Sequence, residues 1–490
     1  MTTFVLVGGA FTGGWLWDRV AERLRDAGAE ACPVTLDGDP GAGLGTHAGQ
    51  LTELVDRLDD PELVLVGHDY GIHPVLAAAD RRPDRVVRVV YVAAGLPSDG
   101  DPALLLVRDE TVRARLGHDT APLPAPRGEE WARWGSLDGL TTDDLALLDR
   151  RAAPQPAGTL TEPLRLGGAV DRVPAAAVMC TADGPGVDMV EMLVRTGPTH
   201  LRKLAGPGYA FFDLPAGHWP MLSHPAELAD LLVRAAAGEG RRLTLDDDQP
   251  TYEEAEFLLE TREFPYERLG RLDVYPPDGE GRRPAVLLVH GGPVQADRSP
   301  TPRDTPFYRG YARHLAGLGV VGATVDHRLH ALTDYARAAD DLAEAVERLR
   351  AHPRTDPDRI ALWIFSGGGL LATDWLAAPP PWLRCLALSY PVLATPPGWE
   401  TVEARFRPVA ALAGAGPLPV VLVRAGREHP AFAATVEEFL AAAGKHGADV
   451  EIVDVPEGRH GFEAFDRTDA SRAAVTRAAR AVVDRVTGAA

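Results

Sequence analysis

Ser366 stands at the end of an apolar run, in RIALWIF-Ser366-GGG, and a serine so placed is a candidate nucleophile. A serine hydroxyl is weakly nucleophilic at neutral pH. It needs a base within hydrogen-bond reach and a carboxylate to fix that base's tautomer. The chain offers both in order: Glu428 follows the apolar run PVVLVRAG, and His460 follows VEIVDVPEGR. Upstream, His290-Gly291-Gly292 closes a further apolar run, where backbone N–H groups would join that of Gly367 as an oxyanion hole. A strand-to-helix turn rich in glycine can be merely structural, so the weight lies in the order nucleophile, acid, histidine, each just after a predicted strand. His429 and His327 read as surface or structural histidines, because neither occupies the loop before the final helix.

The elements that must position these groups follow from short apolar runs alternating with helical spacing. In the first half, FVLVGG (4–9), ELVLVG (62–67), VVRVVYVAAG (86–95), AAAVMCT (175–181) and YAFFDLP (209–215) read as buried parallel strands, with helices after several of them. Between 98 and 174 the pattern loosens into charged, proline-rich and helical pieces, expected to be a lid over the carboxyl ends of the strands. A polar, acidic stretch at 241–255 reads as a linker, and the alternation then begins again. The expected architecture is α/β: two tandem domains, 1–240 and 256–490, each a mostly parallel sheet flanked by helices.

Of 490 residues, 45% are hydrophobic and 24% charged, as in globular proteins, and a net charge of −20 argues against a phosphate-binding surface. Cys32, Cys180 and Cys385 are scattered, which disfavours a disulfide framework or structural zinc and fits a reducing compartment. The start of the chain lacks a basic segment before its apolar run, and no stretch is long and apolar enough for a membrane span, so a soluble cytoplasmic protein is expected. GxxxxGK[ST], GxGxxG and HExxH are all absent; no cofactor and no metal are expected.

The second half resembles the α/β-hydrolase superfamily, most closely its dienelactone hydrolase-like esterases, through LLVHGGP, DHRLH, DPDRIALWIFSGGG, VRAGREHP and PEGRHGF. It departs at Ile364, where the usual elbow has glycine, and at Glu428, where aspartate is commoner. The first half resembles the esterase and hydroxynitrile lyase-like branch of the same superfamily, through VLVGG-Ala10-Phe11-Thr12-Gly13-Gly14-Trp15, VGHDYG (66–71) and AGHWP (216–220). Asp69 occupies the nucleophile position there, followed by Tyr70, whose N–H the resemblance assigns to an oxyanion hole. A carboxylate attacks saturated carbon without needing a base, and a histidine-activated water then cleaves the alkyl-enzyme ester. Epoxide hydrolases and haloalkane dehalogenases use a GHDxG elbow in this way. The resemblance thus makes Asp69 the nucleophile and His218 the water-activating base, with Asp183, or failing that Asp188, orienting His218.

Supporting groups are thinner in the first half. Residues 98–174 contain no tyrosine to protonate an epoxide oxygen, and the residue beside the nucleophile is Tyr70 rather than a halide-binding tryptophan. Trp131 and Trp134 suit either a substrate wall or a helix face packed on the core. The leading expectation is hydrolysis of a small-molecule ester, lactone or thioester through a Ser366 acyl-enzyme. Asp69-dependent chemistry, or one domain serving as a non-catalytic binding or assembly module, are the alternatives. The expected partner is a small-molecule substrate, with neither nucleic acid nor membrane; a homodimer stays open.

Overall fold

The computed structural model describes residues 2–488 apart from 119, 198, 246–249, 397, 398 and 400. Residues 195–199 aside, the chain divides into two compact units that change over at residues 245–246.

In the first unit, six strands form one parallel sheet: β1 (Thr3–Val7), β2 (Glu30–Val34), β3 (Leu63–His68), β4 (Val86–Val92), β5 (Ala175–Cys180) and β6 (Tyr209–Leu214), in the order β2-β1-β3-β4-β5-β6. Five of them are the expected apolar runs. β2 is not legible as a strand: EACPV contains Pro33, its burial is mixed, and it lies at the sheet edge, where a missing N–H is tolerated. Helices Asp18–Asp26, Leu44–Arg57, Ile72–Arg81 and Pro225–Ala236 flank the sheet. Between β4 and β5 the described residues form helices Glu110–Leu116, Thr142–Arg151 and Ala157–Thr161 with short 3-10 turns.

The second unit carries an eight-stranded sheet: β7 (Glu267–Leu269), β8 (Leu272–Tyr275), β9 (Arg283–Val289), β10 (Val321–Val325), β11 (Thr355–Phe365), β12 (Leu383–Ser389), β13 (Val420–Arg427) and β14 (Val450–Arg459). Their order is β14-β13-β12-β11-β9-β10-β8-β7; only the β7–β8 and β8–β10 pairings are antiparallel. β11 lies inside the sheet, and from Ile360 to Phe365 it is buried on both faces. Leu362 and Ile364 join one apolar cluster, while Ala361, Trp363 and Phe365 join the other. Strands covered on both faces read as continuous apolar runs for this reason. Helix Tyr335–Ala351 buries Tyr335, Ala338, Leu342, Ala345, Val346 and Leu349, the stripe of an amphipathic helix against a sheet.

Of the stretch read as a linker, Arg241 pairs with Phe211 and Leu243 is buried in the first unit, Ala255 is buried in the second, and 246–249 lie outside the described residues. Beyond it, Phe257 seats on Gly310 of helix Pro306–Gly317, where an added Cβ would stand 2.2 Å from the Phe257 Cβ. Gly310→Val should therefore lower the unfolding free energy by about 1–3 kcal/mol in urea titration, by displacing Phe257; an unchanged midpoint would contradict this packing.

Candidate active sites

In the second unit Ser366 follows β11 directly and holds φ at 51°, a left-handed backbone unfavourable for a side chain. Such strain persists only where the surroundings impose it. Here Val392 N–H donates to the Ser366 carbonyl at 3.0 Å, and the Tyr335 hydroxyl donates to the Gly367 carbonyl at 2.7 Å. The loop from β9 crosses the turn: a Cβ on Gly291 would meet Ser366 Cβ at 2.8 Å, and one on Gly367 would meet the Gly292 carbonyl at 2.1 Å. Gly291, Gly292 and Gly367 are therefore packed side by side around Ser366. A Cβ on Gly368 would lie 2.6 Å from the His290 carbonyl and 3.1 Å from Ile364 Cγ2, so the bare backbone at 368 lets the loop after β9 approach while Ile364 keeps its side chain in the strand. The turn continues as a 3-10 segment, Ser366–Ala372, before the short helix Thr373–Ala377.

Ser366 Oγ lies 2.7 Å from His460 Nε2, and His460 Nδ1 lies 2.7 Å from Glu428 Oε2. Glu428 Oε1 accepts the His429 N–H at 2.7 Å, which fixes the carboxylate. His460 and Glu428 are almost fully buried. With a carboxylate at Nδ1, the imidazole presents Nε2 to the hydroxyl as a base. His429 accepts the Ala431 N–H and caps helix Pro430–His446. His327 is buried against His290, ring centroids 3.7 Å apart, with Nε2 on the His290 carbonyl at 2.8 Å.

The first unit builds the same elbow differently. Asp69 follows β3 with φ at 47°. Gly67 is needed here, since its Cβ would lie 2.5 Å from Ile72 Cα. Asp69 Oδ2 accepts the Ala10 N–H at 3.2 Å, and the next amide, of Phe11, donates to Gln155 Oε1 at 2.9 Å. The Ala10 and Phe11 N–H groups are thus both taken by side-chain oxygens. The Tyr70 phenol is buried against His47 Nδ1 at 2.7 Å.

His218 Nδ1 lies 2.7 Å from Asp183 Oδ2. Asp183 also accepts the Ser136 N–H at 2.7 Å and both terminal nitrogens of Arg108, at 3.0 and 2.9 Å. Burial alone would raise the Asp183 carboxyl, but the His218 hydrogen bond and charge, with Arg108 and Ser136, hold it far below the usual range. Asp188 is turned to Arg241 instead. Asp69, Arg108, Trp134, Asp183 and His218 line one cavity of about 370 Å³, and no hydrogen bond joins Asp69 to His218. The tryptophan pair divides: Trp131 is buried on Phe11 and Trp219, while Trp134 faces the cavity. Among the described residues no group of three or more His, Cys, Asp or Glu is arranged to hold a metal ion. No helix among them is long and apolar enough to cross a membrane.

Sequence reading missed Gln155, Arg108 and the aromatic ring contacts around His460. Tyr390 and Phe432 have centroids 5.0 and 5.5 Å from the imidazole. All four lie outside the strands, where spacing carries no signal for a site; the one available hint was Tyr390 standing directly after β12.

Residues 4–231 match the model of the alpha/beta hydrolase family, and residues 322–487 match that of the dienelactone hydrolase family. The carbendazim hydrolyzing esterase of Nocardioides sp. (strain SG-4G) is 29% identical over 251 residues, which are 48% of this chain and 99% of that protein. Methylesterase 7 of Arabidopsis thaliana is 28% identical over 261 residues, 48% of this chain and 95% of that one. A solved extracellular alpha/beta-hydrolase from a Paenibacillus species is 22% identical with a TM-score of 0.40, covering 48% of this chain and 99% of that one.

Burial holds the imidazoles of His68, His73 and His290 down at about 4, against 6.5 when unfolded. Within that window the unfolded chain binds protons that the folded chain refuses, so stability rises with pH and is lost on acidification. The melting temperature should fall as pH drops from 6.5 towards 4, and His73→Leu should flatten that dependence for the first unit. Equal pH slopes in wild type and variant would contradict a buried neutral His73.

Proposed function

Because the chain is an α/β-hydrolase superfamily protein of two tandem domains, we propose that its carboxyl-terminal domain cleaves a small-molecule ester, lactone or thioester through an acyl-enzyme on Ser366. The observation that carries this reading is the unbroken run Glu428–His460–Ser366, with both links at 2.7 Å, on a positive-φ elbow. His460 Nε2 takes the hydroxyl proton as Oγ attacks the carbonyl carbon, and Glu428 stabilises the imidazolium that forms. The N–H groups around Gly291, Gly292 and Gly367 receive the developing oxyanion. His460 then protonates the leaving group and activates the water that releases the acid. The esterases among the relatives support ester hydrolysis as the general chemistry. The reducing compartment suggested by three free cysteines supports a cytoplasmic setting.

A fluorophosphonate probe should label the wild-type chain at Ser366, while Ser366→Ala should lose that label. Equal labelling of the two would end this reading. Glu428→Gln should slow acylation about 10⁴-fold, the loss expected when the base's tautomer is no longer set.

One observation favours a second activity in the first domain. With Asp69 Oδ2 on the Ala10 N–H, Oδ1 remains to attack a saturated carbon, and His218 in the same cavity would activate water for release. Phe11 N–H is filled by Gln155, which disfavours acyl transfer there. Repeated turnover of an alkyl halide or epoxide in heavy-oxygen water should leave the heavy isotope in the Asp69 carboxylate. Turnover without isotope at Asp69 would exclude this route.

A further inference from the structure

Behind the catalytic histidine lies a buried acid that acyl transfer leaves unused. Glu463 sits in helix Phe462–Phe465, just beyond His460, and is fully buried. Its Oε1 accepts the Tyr311 hydroxyl at 2.8 Å and the Ser389 hydroxyl at 3.3 Å, and its Oε2 accepts the Tyr390 hydroxyl at 3.0 Å. Trp363 Nε1 donates to Ser389 Oγ at 3.0 Å. Burying a carboxyl without a cationic partner is costly unless its lone pairs are satisfied, and here neutral hydroxyls do that.

Tyr390 links this cage to the active site. Its backbone is left-handed, at φ 36°, held by its N–H on the Val423 carbonyl at 2.8 Å. Its phenol points to Glu463 while its ring meets the His460 imidazole edge-on, centroids 5.0 Å apart. Phe432 makes a second ring contact with the imidazole at 5.5 Å. The imidazole's tilt therefore depends on where the Tyr390 ring stands, and the Tyr390 ring is tethered through its hydroxyl.

We propose that Glu463 is a positioning residue of the Ser366 hydrolase: it anchors the Tyr390 phenol, and the Tyr390 ring holds His460 in line between Ser366 and Glu428. The inference rests on the acyl-enzyme reading above. It also has a proton dependence. Desolvation raises the Glu463 carboxyl to about 7, against the pull of the Tyr311, Tyr390 and Ser389 hydroxyls. The groups facing it are Tyr308 and Tyr311 from helix Pro306–Gly317, Ser389 and Tyr390 at the end of β12, and Tyr252, beyond which stands Arg298. Burial pushes all four phenols up, so near neutral pH Glu463 is the group in this cage that titrates. Ionised, it accepts three hydroxyls. Protonated, one of its oxygens becomes a donor and one hydroxyl must turn away, so the tether on Tyr390 tightens as the proton leaves.

The test uses the full-length chain and compares wild type, Tyr390→Phe and Glu463→Gln. Fluorophosphonate labelling of Ser366 is followed against probe concentration and pH, together with melting temperature and the low-field proton resonance of His460. Tyr390→Phe keeps the ring and loses the tether; its maximal labelling rate should fall about tenfold, with half-saturation unchanged, as expected when a reacting group is misplaced by a fraction of an ångström. Glu463→Gln should lose the Glu463 ionisation from the rate profile and shift the His460 resonance. A lower melting temperature with unchanged labelling rate and pH profile in both variants would mean a structural role only and would overturn the inference. A wild-type chain that takes no label at Ser366 overturns the hydrolase reading instead. In that case the His460 resonance decides the inference alone, and an unchanged resonance in Tyr390→Phe overturns it.

Discussion

Ser366 and Asp69 share one physical constraint. Each holds a positive φ at the end of a buried parallel strand, 51° and 47°, so that its side chain projects above the sheet before the chain turns back. A residue with a Cβ enters that region at a cost of about 1–3 kcal/mol, which the isolated segment would relax. The sheets hold it in place: β3 and β11 each pair on both sides, and their residues belong to the apolar clusters. Glycines then open the space the bend requires. Gly67 lets the following helix close in at Asp69, while at Ser366 Gly367 and Gly368 let the Gly292 and His290 carbonyls of the loop after β9 close in.

From this shared frame the two sites diverge through what meets the elbow side chain. In the second unit the hydroxyl joins His460, and His460 joins Glu428, a chain through which a proton can leave Ser366. In the first, no such chain reaches Asp69. Its carboxylate turns one oxygen to the Ala10 amide while His218 is bound to an Asp183 already engaged by Arg108.

Much of this arrangement is legible in the sequence, for a physical reason. Buried parallel strands announce themselves as apolar runs, and the residue after each run falls at one end of the sheet. That is why Ser366, Glu428 and His460, distant in sequence, could be read together. Side chains that reach the site from loops leave no such trace. Gln155 arrives through the excursion between β4 and β5, Arg108 through the same excursion, and Glu463 becomes notable only once Tyr311, Ser389 and Tyr390 surround it. The choice between Asp183 and Asp188 was likewise closed to spacing. Both follow β5, and only folding shows one turned to His218 and the other to Arg241. β2 escaped because a proline at a sheet edge breaks no ladder and leaves no apolar run.

If the second domain is the proposed hydrolase, acyl groups pass through Ser366. Rapid mixing of the full-length chain with p-nitrophenyl butyrate, quenched in acid and followed by peptide mass mapping, tests it with a substrate. The expected result is a burst of nitrophenolate matched by a butyryl group on the peptide containing Ser366. Steady turnover with no butyryl group on Ser366, or with the group on Asp69, would contradict it.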